Sequence, residues 1–156
     1  MWKLAIALGF GLAGAAQAQI EKAVVAGGCF WCVESDFEKV AGVVDVVSGY
    51  TGGDSQNPTY KRHSGHYEAV EITFDNSVIS YGELVARFLR SVDVLDAGGQ
   101  FCDRGDAYRT AIFVSGAGQK SAALAAVAEA EAALCQAIVT PVLEAKTFWV
   151  AEDYHQ

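Results

Sequence analysis

The sequence predicts an α+β fold in one domain, with a mixed or antiparallel sheet. Apolar runs of strand length are interleaved with stretches of helical period, and one strand alternates so that one of its faces is polar. A length of 156 residues corresponds to about one domain at roughly 150 residues each. The chain is 52% hydrophobic, 19% charged and has two prolines, a composition that offsets the ordering entropy of the backbone and excludes disorder. Its formal net charge of −8, with few and scattered lysines and arginines, would repel a phosphate backbone and excludes nucleic acid as a partner.

Met1–Ala18 carries one positive charge at Lys3, an apolar run from Leu4 to about Ala16, and the small-residue ending Ala16-Gln17-Ala18. This is the pattern of a secretory signal cleaved after Ala18, leaving a mature domain over 19–156. The run is too short to span about 30 Å of hydrocarbon, so no stable membrane insertion is expected after cleavage. The protein is expected to be exported, to the periplasm or beyond, where cysteines meet an oxidising compartment.

Lys22–Ala26 reads as a strand ending at Gly27-Gly28, and Val33, Phe37 and Val40 then recur on one helical stripe. Val43–Val47 is a second strand, stopping at the turn-like Ser48-Gly49-Tyr50-Thr51-Gly52-Gly53. Val70, Ile72 and Phe74 alternate with Glu71, Thr73 and Asp75, the period of a half-buried strand. Ser80-Tyr81-Gly82-Glu83 fits a capping box, and Leu84, Val85, Phe88, Leu89 and Val92 follow at helical spacing. Ala111–Ser115 is a further strand, Gln119–Ala137 an alanine-rich helix, and Phe148–Val150 a final short strand. The long loops at 50–66 and 93–108 are where a compact fold of this size carries its site.

Cys29 falls where the first strand ends and the first helix begins. Unpaired amides and the positive end of the helix dipole favour a thiolate there, and the thiolate is the nucleophilic form. Cys32 is one helical turn on, close enough for a disulfide to form with little backbone movement. Taken alone, the pair is compatible with a redox centre, a static disulfide or two buried apolar thiols. A zinc site with His63 and His66 is disfavoured, because two residues between histidines is fewer than the usual three to five.

Gly28-Cys29-Phe30-Trp31-Cys32-Val33-Glu34 resembles the signature of the A-type peptide methionine sulfoxide reductases. Five further blocks follow in the same order: Gly49–Gly53, Pro58–Tyr60, Gly65–Val70, Asp103–Gly105 with Tyr108–Ile112, and Ala151–Gln156. The resemblance implies a two-layer, ferredoxin-like α/β roll and the thiol-dependent reduction of methionine S-sulfoxide, free or in peptides and proteins. By that resemblance Cys29 is the nucleophile, Glu68 the acid, and Tyr50 and Tyr108 the hydroxyl donors to the sulfoxide oxygen. Phe30 and Trp31 line a slot for the S-methyl group, and Asp103 orders the polar side. Glu68 would have to be kept protonated by apolar surroundings. Attack would leave Cys29 as a sulfenic acid, and Cys32 would close the disulfide. Electrons would come from an external dithiol, implied to be a thioredoxin-like protein, with no metal or organic cofactor. A thiol–disulfide oxidoreductase using the same Cys-x-x-Cys, and a non-catalytic domain retaining the fold, are the competing readings.

Three features depart from the family pattern. Phe101-Cys102 stands where relatives have Gly-Asn, and Pro141 where glutamate is common. The sequence ends at Gln156, where many relatives continue with a tail that can bear resolving cysteines, which favours Cys32 as the resolver. Cys102 and Cys135 are expected to form a structural disulfide, with Cys102 as a second resolver the alternative.

Overall fold

Four strands and two helices form the frame that positions the site. The computed structural model describes residues 18–156, so the signal segment expected over Met1–Ala18 lies outside the described residues except for Ala18. In chain order the frame is β1 (Ile20–Gly27), α1 (Phe30–Phe37), β2 (Val43–Thr51), β3 (Tyr67–Asp75), α2 (Tyr81–Ser91) and β6 (Thr110–Val114). A small antiparallel hairpin, β4 (Gly99–Gln100) with β5 (Asp103–Arg104), sits between α2 and β6. After β6 come α3 (Ala117–Leu134), β7 (Val142–Glu144) and β8 (Trp149–Val150).

The main sheet has the order β7-β6-β1-β3-β2-β8. Only the β6–β7 pair is parallel, so the sheet is mixed. Its centre, β6-β1-β3-β2, is the split β-α-β arrangement of a ferredoxin-like fold, with β3 inserted between β1 and β2. One face carries Ala23, Val25, Val46, Val70, Ile72, Phe74, Ile112 and Val114, and buries them against Phe30, Val33 and Phe37 of α1 and Leu84, Val85 and Phe88 of α2. The other face holds a smaller cluster, Ala26, Ala69, Ala111 and Phe113, flanked by Tyr67, Leu143 and Phe148. Among the described residues no helix is long and apolar enough to cross a membrane.

The capping box forms as the sequence predicts. Glu83 N–H donates to Ser80 Oγ (3.3 Å), and Ser80 N–H returns a bond to Glu83 Oε2 (2.9 Å). The second strand does not stop at Val47: it runs through the stretch read as a turn and pairs with β3 as far as Thr51 opposite Tyr67. Gly49 serves there for close approach rather than for turning, since a Cβ on it would lie 2.4 Å from both the Phe148 ring and the Trp149 carbonyl. The alanine-rich helix ends three residues before the predicted limit, because Cys135 takes a left-handed conformation (φ 52°, ψ 33°) and closes the last turn onto Ala132 O.

Candidate active site

β1, β3 and β2 are neighbours, and at one end of the sheet they bring Cys29, Glu68 and Tyr50 into a row. Tyr50 pairs directly with Glu68 across the β2–β3 ladder, and β1 pairs with β3 as far as Val25 opposite Val70, just before the Gly27-Gly28 turn. Gly28 has φ +89°, and a Cβ on it would meet Gln100 Cβ at 2.6 Å. Only glycine fits this turn, which presses the β4–β5 hairpin against the segment leading to Cys29. Gln100 is itself fixed by two bonds to the Asp93 backbone, accepting from N–H (2.7 Å) and donating to C=O (2.9 Å).

Cys29 is the residue before the first turn of α1, and its carbonyl accepts from the amides of Cys32 (3.1 Å) and Val33 (3.4 Å). The expected depression of its pKa is not found. Burial pushes the Cys29 thiol above its ordinary value of 9.0, outweighing the amides of Cys32 and Trp31 that favour the thiolate, and the adjacent Cys32 thiol adds to the rise. In the resting protein Cys29 is therefore held as a thiol. Cys32 is exposed while Cys29 is half-buried, so an external thiol meets Cys32 first.

Glu68 is 1% exposed. Its Oε2 accepts the Phe30 amide at 3.2 Å, so the carboxyl sits beside the residue that follows the nucleophile. Oε1 is buried with no hydrogen-bond partner. Burial raises the Glu68 pKa above the usual carboxylate value, and Asp103 pushes the same way, against the Phe30 amide, His63 and the Tyr108 hydroxyl. The result is a carboxylic acid held neutral beyond its ordinary range, with one unsatisfied oxygen. Burial also raises the Tyr108 phenol, to about 12, with Glu68, Tyr60 and Asp103 adding to the effect. It remains a donor across physiological pH.

Phe30 is buried (1%) and Trp31 half exposed (50%), so of the two aromatic rings one packs into the core and the other reaches solvent. Their rings lie 6.1 Å apart, and the Trp31 indole N–H donates to His155 O (3.0 Å). Tyr50 is wholly buried, its ring 5.7 Å from Phe30 and stacked on His63 at 5.1 Å. Its hydroxyl donates to Glu152 Oε2 (3.0 Å), a residue the sequence did not single out. His66 turns to Gly53 and Ser55, its Nδ1 accepting from Gly53 N (3.3 Å) and its Nε2 lying 3.0 Å from both Ser55 oxygens. Among the described residues no three His, Cys, Asp or Glu side chains gather to hold a metal ion.

The disulfide expected between Cys102 and Cys135 is not present: both thiols are free and exposed. Cys102 sits on the turn of the β4–β5 hairpin, whereas the Cys135 sulfur folds back onto its own helix, 3.7 Å from Ala132 O. The two elements present the sulfurs separately.

The arrangement brings together a half-buried thiol at Cys29, the buried Glu68 carboxyl with its raised pKa, the Phe30–Trp31 aromatic pair and a second thiol one turn on. The family model for peptide methionine sulfoxide reductase matches residues 21–156. Peptide methionine sulfoxide reductase MsrA 2 of Rhizobium meliloti (strain 1021) is 52% identical over 149 residues, covering 94% of this chain and 75% of that protein. Among solved structures, Mxr1 from Saccharomyces cerevisiae in reduced form superposes with a TM-score of 0.80 at 28% identity, covering 88% of this chain and 82% of the other. Mxr1 in complex with Trx2 shares the fold at a TM-score of 0.63 and 20% identity, covering 87% of this chain and 84% of the other. From the family match over nearly all of the described residues, and the curated relative at this identity, the chain belongs to the peptide methionine sulfoxide reductase family.

Proposed function

We propose that this protein reduces methionine S-sulfoxide, free or within polypeptides, to methionine at the expense of thiols. The observation that carries the reading is Glu68: a buried carboxyl, its pKa raised by that burial, bonded to the amide that follows the nucleophilic cysteine. A sulfoxide oxygen leaves only when protonated, so a thiol alone would not suffice. The S-methyl group enters the slot over Phe30 beside Trp31, and the oxygen turns toward Glu68, Tyr108 and Tyr50. Binding brings the Cys29 sulfur to the electrophilic sulfur; the Cys29 thiol gives up its proton to solvent, and the thiolate bonds to that sulfur while Glu68 gives its proton to the oxygen. The hydroxyl then passes to the Cys29 sulfur as the substrate's sulfur–oxygen bond and the new sulfur–sulfur bond break, so methionine departs, Cys29 is left as a sulfenic acid and Glu68 as a carboxylate. Cys32 then attacks the sulfenic sulfur and water leaves, giving the Cys29–Cys32 disulfide.

An external dithiol restores both cysteines. A thioredoxin-like protein fits that role, since Cys32 is exposed and the similar yeast chain is known in complex with Trx2. Thiols supply both electrons, so the cycle calls for no prosthetic group. Export to the periplasm or beyond is part of the proposal and rests on the Met1–Ala18 pattern. Amino-terminal sequencing of exported protein should begin at Gln19, and an intact Met1 would contradict cleavage.

Turnover of a methionine sulfoxide peptide with dithiothreitol, with Cys29→Ser as the control, tests the activity. A folded wild-type protein that leaves the sulfoxide untouched refutes the reading. Protein disulfide exchange that survives Glu68→Gln unchanged, with no sulfoxide turnover, would replace it with a thiol–disulfide oxidoreductase.

A further inference from the structure

Glu152 occupies a position in the site that the reaction above leaves without a role. Its Oε2 accepts the Tyr50 hydroxyl at 3.0 Å, and its Oε1 accepts the Tyr60 amide at 3.0 Å and the Tyr154 hydroxyl at 3.3 Å. Tyr60 lies on the same loop as His63, whose ring stacks on Tyr50. One carboxylate thus ties together the Tyr50 hydroxyl and the loop packed on the Tyr50 ring. Three residues on, the His155 carbonyl receives the Trp31 indole (3.0 Å), so the same short turn also anchors the Trp31 ring.

The direction of the Tyr50 bond has a chemical consequence. A phenol has one proton, and here it points to Glu152. Burial pushes the Glu152 carboxyl up, but the Tyr60 amide, the Tyr50 hydroxyl and His155 outweigh it, and the group lies below the usual carboxylate range. It is ionised and acts only as an acceptor. Tyr50 then has only lone pairs to offer the pocket, and Glu68 is near enough for its charge to be felt at the phenol.

Resting on the reductase reading, we infer that Glu152 is a positioning residue, which holds the Tyr50 hydroxyl and the loop packed on the Tyr50 ring in place beside Glu68 at the substrate pocket. No bond to Glu152 forms or breaks.

The test is a double-mutant cycle on single-turnover methionine formation, with Glu152→Gln, Tyr50→Phe and the double variant. Glu152→Gln is expected to lower kcat by about 10- to 100-fold with little change in KM, the scale of a misplaced reacting group. The double variant should be no slower than the slower single variant, because Glu152 acts through Tyr50. Glu152→Asp keeps the charge and should recover part of the rate, whereas a space-filling role predicts that the isosteric Gln is the better tolerated. If Glu152→Gln does not fold, the Glu152→Asp cycle with Tyr50→Phe carries the same comparison. Additive losses, an effect confined to KM, or Asp no better than Gln overturn the inference while wild-type turnover stands. Absence of wild-type turnover overturns the reductase reading instead.

Discussion

Replacing Glu68 by glutamine removes the acid function and changes almost nothing else. The amide has the volume of the carboxyl, and its oxygen can keep the 3.2 Å bond from the Phe30 amide. The other carboxyl oxygen has no partner, so an NH2 in its place breaks no hydrogen bond. At 1% exposure, water has no ready access to replace the lost acid. The full contribution of general acid catalysis is then at stake, roughly 10²- to 10⁴-fold, or about 2.7–5.4 kcal/mol at 1.36 kcal/mol per decade. Single-turnover release of methionine, followed by rapid quench, reads that step apart from disulfide recycling. Stability should move the other way. The Glu68 pKa is raised on folding, so its favourable contribution is complete below the unfolded value of about 4.5 and is lost as pH rises through the folded value. Wild-type protein should lose stability against Glu68→Gln over that window, and the two curves should run parallel on either side of it. A variant that turns over within threefold of wild type, or a stability difference that does not change with pH, would refute the assignment of Glu68 as a buried neutral acid.

Other outcomes follow from the same geometry. Alkylation of Cys29 in a Cys32→Ser background should show a pH midpoint above 9.0, because burial holds the thiol protonated. A midpoint near 7 would restore the helix-dipole expectation. Gly28→Ala meets both a positive φ and Gln100 Cβ at 2.6 Å, so it should cost more than about 1 kcal/mol in denaturant unfolding. It should also slow turnover by shifting the hairpin that carries Asp103, and an unchanged unfolding midpoint would contradict the packing described. Ser80→Ala removes the cap of α2 and should cost about 0.5–2 kcal/mol with turnover intact, measured by thermal unfolding and peptide reduction. Cys102 and Cys135 should both take up iodoacetamide without prior reduction, and a peptide-mapped bridge between them would reinstate the disulfide.

Much of the frame was legible because it is local. The Ser80–Glu83 box and the alternation of Val70, Ile72 and Phe74 each need only a few consecutive residues, and the structure reproduces both. Carrying that alternation back one step places Glu68 on the inward face as well, a signal for its burial independent of any resemblance. Tyr50 was misplaced in a turn because Ser48-Gly49-Tyr50 has turn composition. Only the later approach of Phe148 and Trp149 shows that Gly49 belongs inside a strand. The Cys29 pKa failed for a related reason, since a helix start is visible in sequence but the depth of burial around it is not. Glu152 was beyond local reading, because its partner Tyr50 is 102 residues away. The short β7, which follows Pro141, has no alternation of its own and is defined by its parallel pairing with β6.

Inserting β3 between β1 and β2 ties the chemistry to the completion of folding. A chain that has formed α1 but not docked β3 owns an ordinary thiol, with no proton source beside it and no wall to orient an oxygen. Oxygen-atom transfer is thus withheld from half-folded chains, which cannot spend their cysteines on stray sulfoxides, and is granted only when strands distant in sequence close ranks.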